Sequence, residues 1–170
     1  MPTEVLAPEI LLVVAAVVVY LGGVFSLNRT VWGWIALAGI VAAAVTLWAS
    51  PAATNVYGPL QVDALAGYVR WFSLVTGALF VLLAFRPLAA PGTPEYVGSL
   101  LLSIAGAMLV GVAGDIVLLF LALELISIPT YVMLYLGHRD VASQESTVKY
   151  FYLSILASAL VLYGLSFLYG

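Results

Sequence analysis

A glutamate and a proline interrupt the apolar run LFLALELISIPTYVMLYLG, Leu119 to Gly137. A carboxyl set in such surroundings suits one kind of chemistry, the uptake and release of a proton. Glu124 lies nine residues from Asp115 and twelve from Leu136. As a helix, that places it ~13 Å inside one end of the segment, close to the midplane of a bilayer. An acid at this depth costs roughly 3 kcal/mol on insertion scales, so it is expensive to keep without a use. Ser127, Tyr131 and Tyr135 follow Glu124 at +3, +7 and +11, which lines them up on one helical stripe. Such a stripe should face other helices or a hydrated cavity rather than lipid. Pro129 has no N–H, so the carbonyl of Leu125 loses its usual helical partner and can hold water one residue from the acid. The residues leave two roles open for Glu124: handling a proton or ion, and a packing hydrogen bond to a neighbouring helix.

The other charged residues read more plainly. Lys149, the only lysine, falls one turn into the last apolar segment and about 30 Å from Tyr169 by helical rise. That is the inner boundary, where a lysine snorkels to the interface. It differs from Glu124 in depth by ~15 Å, so a direct ion pair is not expected, while coupling through water stays open. His138, Arg139, Asp140 and Glu145 read as a charged turn, solvated or touching a partner subunit. Asp63 and Arg70 flank the start of the third apolar segment and read as a cap or a pair across the preceding loop. There is no cysteine, hence no disulfide, thiolate metal site or iron–sulfur cluster. One histidine cannot build a metal site. With no Gly-rich phosphate cradle, no Ser/His/Asp set and no metal spacing, redox chemistry is not expected on this chain.

The elements that would position Glu124 are membrane spans. Of 170 residues, 65% are hydrophobic and 8% charged, against about a quarter charged in a soluble domain. Mean hydropathy is +1.19. The net charge of −3 is small and thinly spread, which argues against nucleic acid as a partner and for the lipid bilayer. Runs of roughly 20 apolar residues predict six transmembrane helices in a single domain, 1–170, an all-α integral membrane bundle. They span about 5–25, 31–49, 65–85, 96–113, 115–136 and 146–169. SLNRT, SPAATNVYGPLQVD and LAAPGTPE read as loops from their Pro, Gly and Asn content, and Asp115 as the N-cap of the fifth helix. Glu4 and Glu9 stand where a signal peptide would carry Lys or Arg, so the first segment reads as a permanent span. Arg29, Arg86, Arg139 and Lys149 all fall on the side reached after an odd number of crossings, and only Arg70 on the other. The positive-inside rule then puts the N-terminus outside. Ser99, Ser103, Ala107 and Gly111 form a ridge of small residues along the fourth helix, and Ser154 and Ser158 make a similar step on the sixth. Both read as close helix packing.

The stretch AGDIVLLFLALELISIPTYVML, followed by ESTVKYFYLSILASALVLYG, resembles subunit N of the proton-pumping NADH:quinone oxidoreductase, respiratory complex I. The likeness lies in an acid in an ELxSxPxY context, a lysine in a KYF context, and a Ser/Ala-rich stretch ending in LYG. VDALAGYVRW resembles the family's lead into its third helix. The resemblance covers most of the chain and is strongest from Gly114 to Gly164. It implies an antiporter-like fold and a proton-translocating subunit of the bacterial inner membrane. Glu124 matches the family's functional glutamate and Lys149 its lysine, with Ser127, Pro129, Tyr131 and Ser154 as supporting polar positions. It also implies that the chain binds no cofactor itself. NADH, FMN, iron–sulfur clusters and quinone would belong to the other membrane and peripheral subunits. Family members have about fourteen helices, so the resemblance further implies an N-terminal fragment. The related readings are a subunit of a multi-subunit cation/proton antiporter or membrane-bound hydrogenase, and a non-pumping structural subunit.

Overall fold

The structure is a computed structural model and describes residues 2–25, 29–50, 55–84, 93–137 and 140–169. The sequence readings of Arg86, His138, Arg139 and most of the loop residues between helices fall outside the described residues. The elements run α1 (Pro2–Val5), α2 (Ala7–Phe25), α3 (Arg29–Ala49), β1 (Asn55–Tyr57), β2 (Leu60–Val62), α4 (Ala64–Ala84), α5 (Thr93–Val112), α6 (Ile116–Gly137) and α7 (Val141–Tyr169). Six helices, α2 to α7, are long and apolar enough to cross a membrane. The chain is a multi-pass helical membrane protein with the all-α architecture that its apolar runs predict.

Four details differ from the sequence expectation, each for a local reason. The first span is broken at Leu6, separating α1 from α2. Pro8 sits two residues on, where its missing N–H and its ring disrupt the preceding turn. α5 starts at Thr93 rather than near residue 96, because Pro94 is tolerated in a first turn whose N–H groups have no helical acceptor. α7 starts at Val141 rather than near 146. Its first turns, VASQE, are polar, and an apolar window sees only the part fit for lipid. Finally, the second loop holds an antiparallel hairpin, β1 on β2, turned at Gly58 with φ +58°, a conformation suited to glycine. The hairpin leans on the α5–α6 turn, where the Gly114 N–H donates to the carbonyl of Pro59 at 2.9 Å.

α5 is the central element. It packs on α2, α3, α4 and α6, and Leu101, Ala105 and Met108 are fully buried along it. Against them pack Leu12, Ala16 and Val19 of α2, Ala36 and Ile40 of α3, and Leu74 and Val81 of α4. α7 sits at the other extreme. It packs on α6 and leaves Leu153, Leu156, Leu160, Phe167 and Leu168 exposed. Gly106 sets the spacing between α5 and α6. A Cβ built there would meet Ile126 Cγ1 at 2.8 Å and the carbonyl oxygen of Ala122 at 3.0 Å, so only glycine lets the two backbones come this near.

The helix ends are capped by acids. Asp63 Oδ1 accepts from the Ala66 N–H at 2.7 Å, and Asp115 Oδ1 from the Val117 N–H at 2.9 Å. Each carboxylate takes an amide that has no helical acceptor and lies at the positive end of the helix dipole. Asp115 is thus the N-cap that its position predicts, and Asp63 takes the capping reading rather than a pair with Arg70.

Candidate functional site

Glu124 is held by α6 at the contact between α6 and α7. It lies two residues from both Ala122 and Ile126, the positions that meet Gly106, so the tight α5–α6 packing fixes its depth. On its other side the Ser158 hydroxyl of α7 donates to Glu124 Oε1. The carboxyl is half-buried and opens on a cleft of about 590 Å³ between α6 and α7. Phe120, Ile128, Phe151, Ile155 and Leu162 make its walls apolar, and Glu124, Tyr131 and Ser158 supply its polar groups. This pairing can follow a change of protonation. A serine hydroxyl both donates and accepts, so it serves the anion as donor and the neutral acid as acceptor. The cleft opens beside the carboxyl, which leaves room for water or a proton donor to reach it.

The other expected site residues are distributed around this pair. Tyr131 is buried on the cleft wall, edge-on to Tyr150 and Phe151 with ring centroids 5.6 and 5.3 Å away. Pro129 is buried within α6, which continues as helix through it. Ser127 turns back on its own helix, donating to the carbonyl of Leu123 at 2.9 Å. Tyr135 is 59% exposed. The expected stripe therefore splits: Glu124 and Tyr131 share the cleft with Ile128, while Ser127 and Tyr135 stand aside. Ser154 lies one turn before Ser158 on α7, half-buried and outside the cleft lining.

Lys149 lies deeper along its helix than expected. With α7 starting at Val141 it is eight residues in, ~12 Å, rather than one turn. Nine further residues separate it from Ser158, ~13 Å of rise, in line with the expected depth gap to Glu124. Its ammonium pairs with Glu145 at 2.5 Å, one turn earlier, and both side chains are more than 60% exposed. Glu145 is therefore part of a helical ion pair and not of a charged turn. Among the described residues, no group of three or more His, Cys, Asp or Glu side chains is placed to hold a metal ion.

Two features escaped the sequence reading. Ser158 reads as a packing residue from its i+4 relation to Ser154, and nothing in the chain pairs it with an acid 34 positions away. The second is an ion pair inside the bundle. Arg70 of α4 grips Glu9 of α2 with Nε to Oε1 and Nη2 to Oε2, both 2.8 Å, and Nη2 also donates to the Val5 carbonyl at 2.6 Å. Both side chains are 3% exposed. Arg70 thus closes the break between α1 and α2 and pairs across the bundle rather than across the loop. The available signal was topological, since both residues fall on the same predicted face of the membrane.

A family model described as "NADH:quinone oxidoreductase/Mrp antiporter, TM" matches residues 113–170, the segment that holds Glu124, Lys149 and Ser158. The chain is 38% identical to NADH-quinone oxidoreductase subunit N of Desulfovibrio desulfuricans, an alignment covering 97% of this chain and 34% of that protein. It is 33% identical to the subunit N of Azorhizobium caulinodans, over 99% of this chain and 37% of the relative. It is 32% identical to NAD(P)H-quinone oxidoreductase subunit 2 of Microcystis aeruginosa, over 98% and 34%. A chain of respiratory complex I from Thermus thermophilus, solved with bound aureothin, superposes with a TM-score of 0.80 at 26% identity, covering 96% of this chain and 36% of that one. The chain spans about a third of the length of the curated relatives it matches. By sequence and by fold it is similar, along nearly its whole length, to the antiporter-like membrane subunits named subunit N or subunit 2 of the NADH:quinone oxidoreductases.

Proposed function

We propose that the chain forms part of a proton-translocating membrane subunit of an NADH:quinone oxidoreductase. Glu124 is the group whose charge comes and goes. The observation that carries this reading is its setting: a carboxyl at mid-helix, at the mouth of an apolar cleft, with a hydroxyl as its partner. An arginine or lysine beside it would hold it as an anion. The serine leaves both protonation states open. Lys149 is the second charged group of the path. Its salt bridge to Glu145 is exposed and therefore weak, so the ammonium is free to change partners as the field along the membrane shifts.

Electron transfer from NADH to quinone belongs, in this reading, to partner subunits that carry the flavin, the iron–sulfur clusters and the quinone site. Their turnover alters the electrostatic field at Glu124, and the carboxyl exchanges a proton in response. The inner side is the bacterial cytoplasm and the N-terminus faces outward, in line with Lys149 in the inner third of α7. The family model's description also names Mrp antiporters. The named relatives are NADH- or NAD(P)H-quinone oxidoreductase subunits, and this favours the redox-coupled reading.

Glu124→Gln keeps the shape and a hydrogen bond to Ser158 while removing the titration. The assembled complex carrying it should show impaired pumping at near-normal abundance, measured as protons moved per electron in membrane vesicles. An unchanged ratio would refute the role, and a loss of assembly alone would favour a structural one.

A further inference from the structure

The cleft between α6 and α7 ends in a layer of aromatic rings. Glu124 meets Ser158 across the seam, and Tyr131 meets Phe151 seven residues along each helix, ~10 Å away by helical rise. Tyr131 is buried and stands edge-on to Phe151 and Tyr150, with ring centroids 5.3 and 5.6 Å away. Tyr131 and Phe151 line the cleft and Tyr150 does not, so the rings form its end wall. One turn beyond Phe151, Thr147 is buried, and its hydroxyl donates to the Ser143 carbonyl at 2.9 Å. Three rings thus lie along the seam between the Glu124 carboxyl and the end of the bundle where α6 stops and α7 begins. Edge-to-face rings pack favourably and hold no chain of water along which a proton could pass.

The turn of α6 that carries Tyr131 is also weakly bonded. Pro129 has no N–H to give the Leu125 carbonyl. The Ser127 hydroxyl donates to the Leu123 carbonyl at 2.9 Å, and the Thr130 hydroxyl to that of Ile126 at 2.8 Å. Three of the four carbonyls from Leu123 to Ile126 therefore lack the helical donor or accept a side-chain hydroxyl, and helices bend at such places. On one side of this turn, Ala122 and Ile126 are held against α5 at Gly106. On the other side is Tyr131. A bend at Pro129 leaves Glu124 at its depth and draws the Tyr131 ring off Phe151.

We propose, on the basis of the proton-translocating reading above, that Tyr131, Phe151 and Tyr150 form a gate at the inner end of the α6–α7 cleft, with Pro129 as its hinge. Closed, the rings keep inner-side water out of the seam and away from Glu124. A bend of α6 opens them during turnover and lets water into the cleft. Tyr131 acts here as a positioning residue through its ring, and its hydroxyl is not required.

The test uses the intact membrane complex with the full-length subunit, in inside-out vesicles that present the inner face to the medium. Ile155 lines the cleft between Phe151 and Ser158, and Ile155→Cys places a thiol behind the gate. Its reaction with a charged, membrane-impermeant methanethiosulfonate is followed by mass spectrometry on the peptide that carries it, at rest and during NADH oxidation. With Tyr131 in place, labelling should be slow at rest and several-fold faster during turnover. Tyr131→Ala should label fast in both conditions and Tyr131→Phe should behave as the parent. Pro129→Ala should stay slow in both. If Tyr131→Ala does not assemble, Phe151→Ala opens the same layer from α7. Equal resting rates with and without the ring, a parent rate that turnover leaves unchanged, fast resting labelling in Tyr131→Phe, or turnover-driven labelling retained in Pro129→Ala overturns the gate. Proton pumping by Glu124→Gln is measured alongside, and a wild-type ratio there overturns the reading beneath the gate while leaving the labelling rates to stand on their own.

Discussion

Glu9 and Glu124 are both acids on the apolar helices of one bundle, and they are partnered in opposite ways. Glu9 is buried and gripped through both oxygens by a guanidinium that also holds the end of α1. Arginine donates only and keeps its charge, and its fork is matched to both oxygens of a carboxylate. Glu124 is half-buried beside a cleft and meets a hydroxyl that suits either form. The first arrangement locks a charge in place and joins three elements, while the second lets a charge vary. Burial of an acid therefore does not by itself mark a proton site. The protonation states its partner can accept are the better guide.

The largest stability effect should follow from breaking the locked pair. Arg70→Met leaves Glu9 buried without its counter-charge, a loss of about 3–5 kcal/mol. It should appear as a large drop in the unfolding midpoint of the purified subunit or in its yield in the complex, with the proton-to-electron ratio unchanged in whatever assembles. Adding Glu9→Gln should recover much of the loss, because the stranded charge is gone. An unaltered midpoint in Arg70→Met would end the contrast.

Next comes the seam that sets Glu124's depth. Gly106→Ala drives a methyl into Ile126 and the Ala122 carbonyl, an overpacking cost of roughly 1–3 kcal/mol. Stability and pumping should fall together, since α6 must move and carry Glu124 with it. Pumping that survives a clear loss of stability would show that the site does not depend on the α5–α6 spacing.

The smallest change in stability is expected at the variable site itself. Ser158→Ala removes one hydrogen bond between membrane helices, a term of about 0.6 kcal/mol on average. Assembly should be near normal and pumping slowed less than in Glu124→Gln. A stability loss comparable to that of Arg70→Met would mean that Glu124 is as locked as Glu9, and the distinction between them would fail.

The two regions were unequally legible in the sequence. Six spans were readable because the hydrocarbon core demands long apolar runs, and Glu124 because a single acid interrupts one. Its partner was not. Ser158 and Glu124 meet only through the side-by-side packing of α6 and α7, and a serine carries no mark of what it faces. Arg70 was visible as a charge but not as a clasp, since a residue near a helix end reads as a topology marker and Glu9 lies 61 positions away. The start of α7 and the hairpin were missed because polar helical turns and three-residue strands leave no hydropathy signal.

The most direct test of the central claim follows the Glu124 carboxyl during turnover. Infrared difference spectra of the intact complex, resting against energised by NADH, should contain a carboxylic acid C=O band that changes with turnover, disappears in Glu124→Gln and shifts in Ser158→Ala. Identical spectra for wild type and Glu124→Gln under active turnover would mean that this carboxyl keeps one protonation state throughout, and would contradict the account.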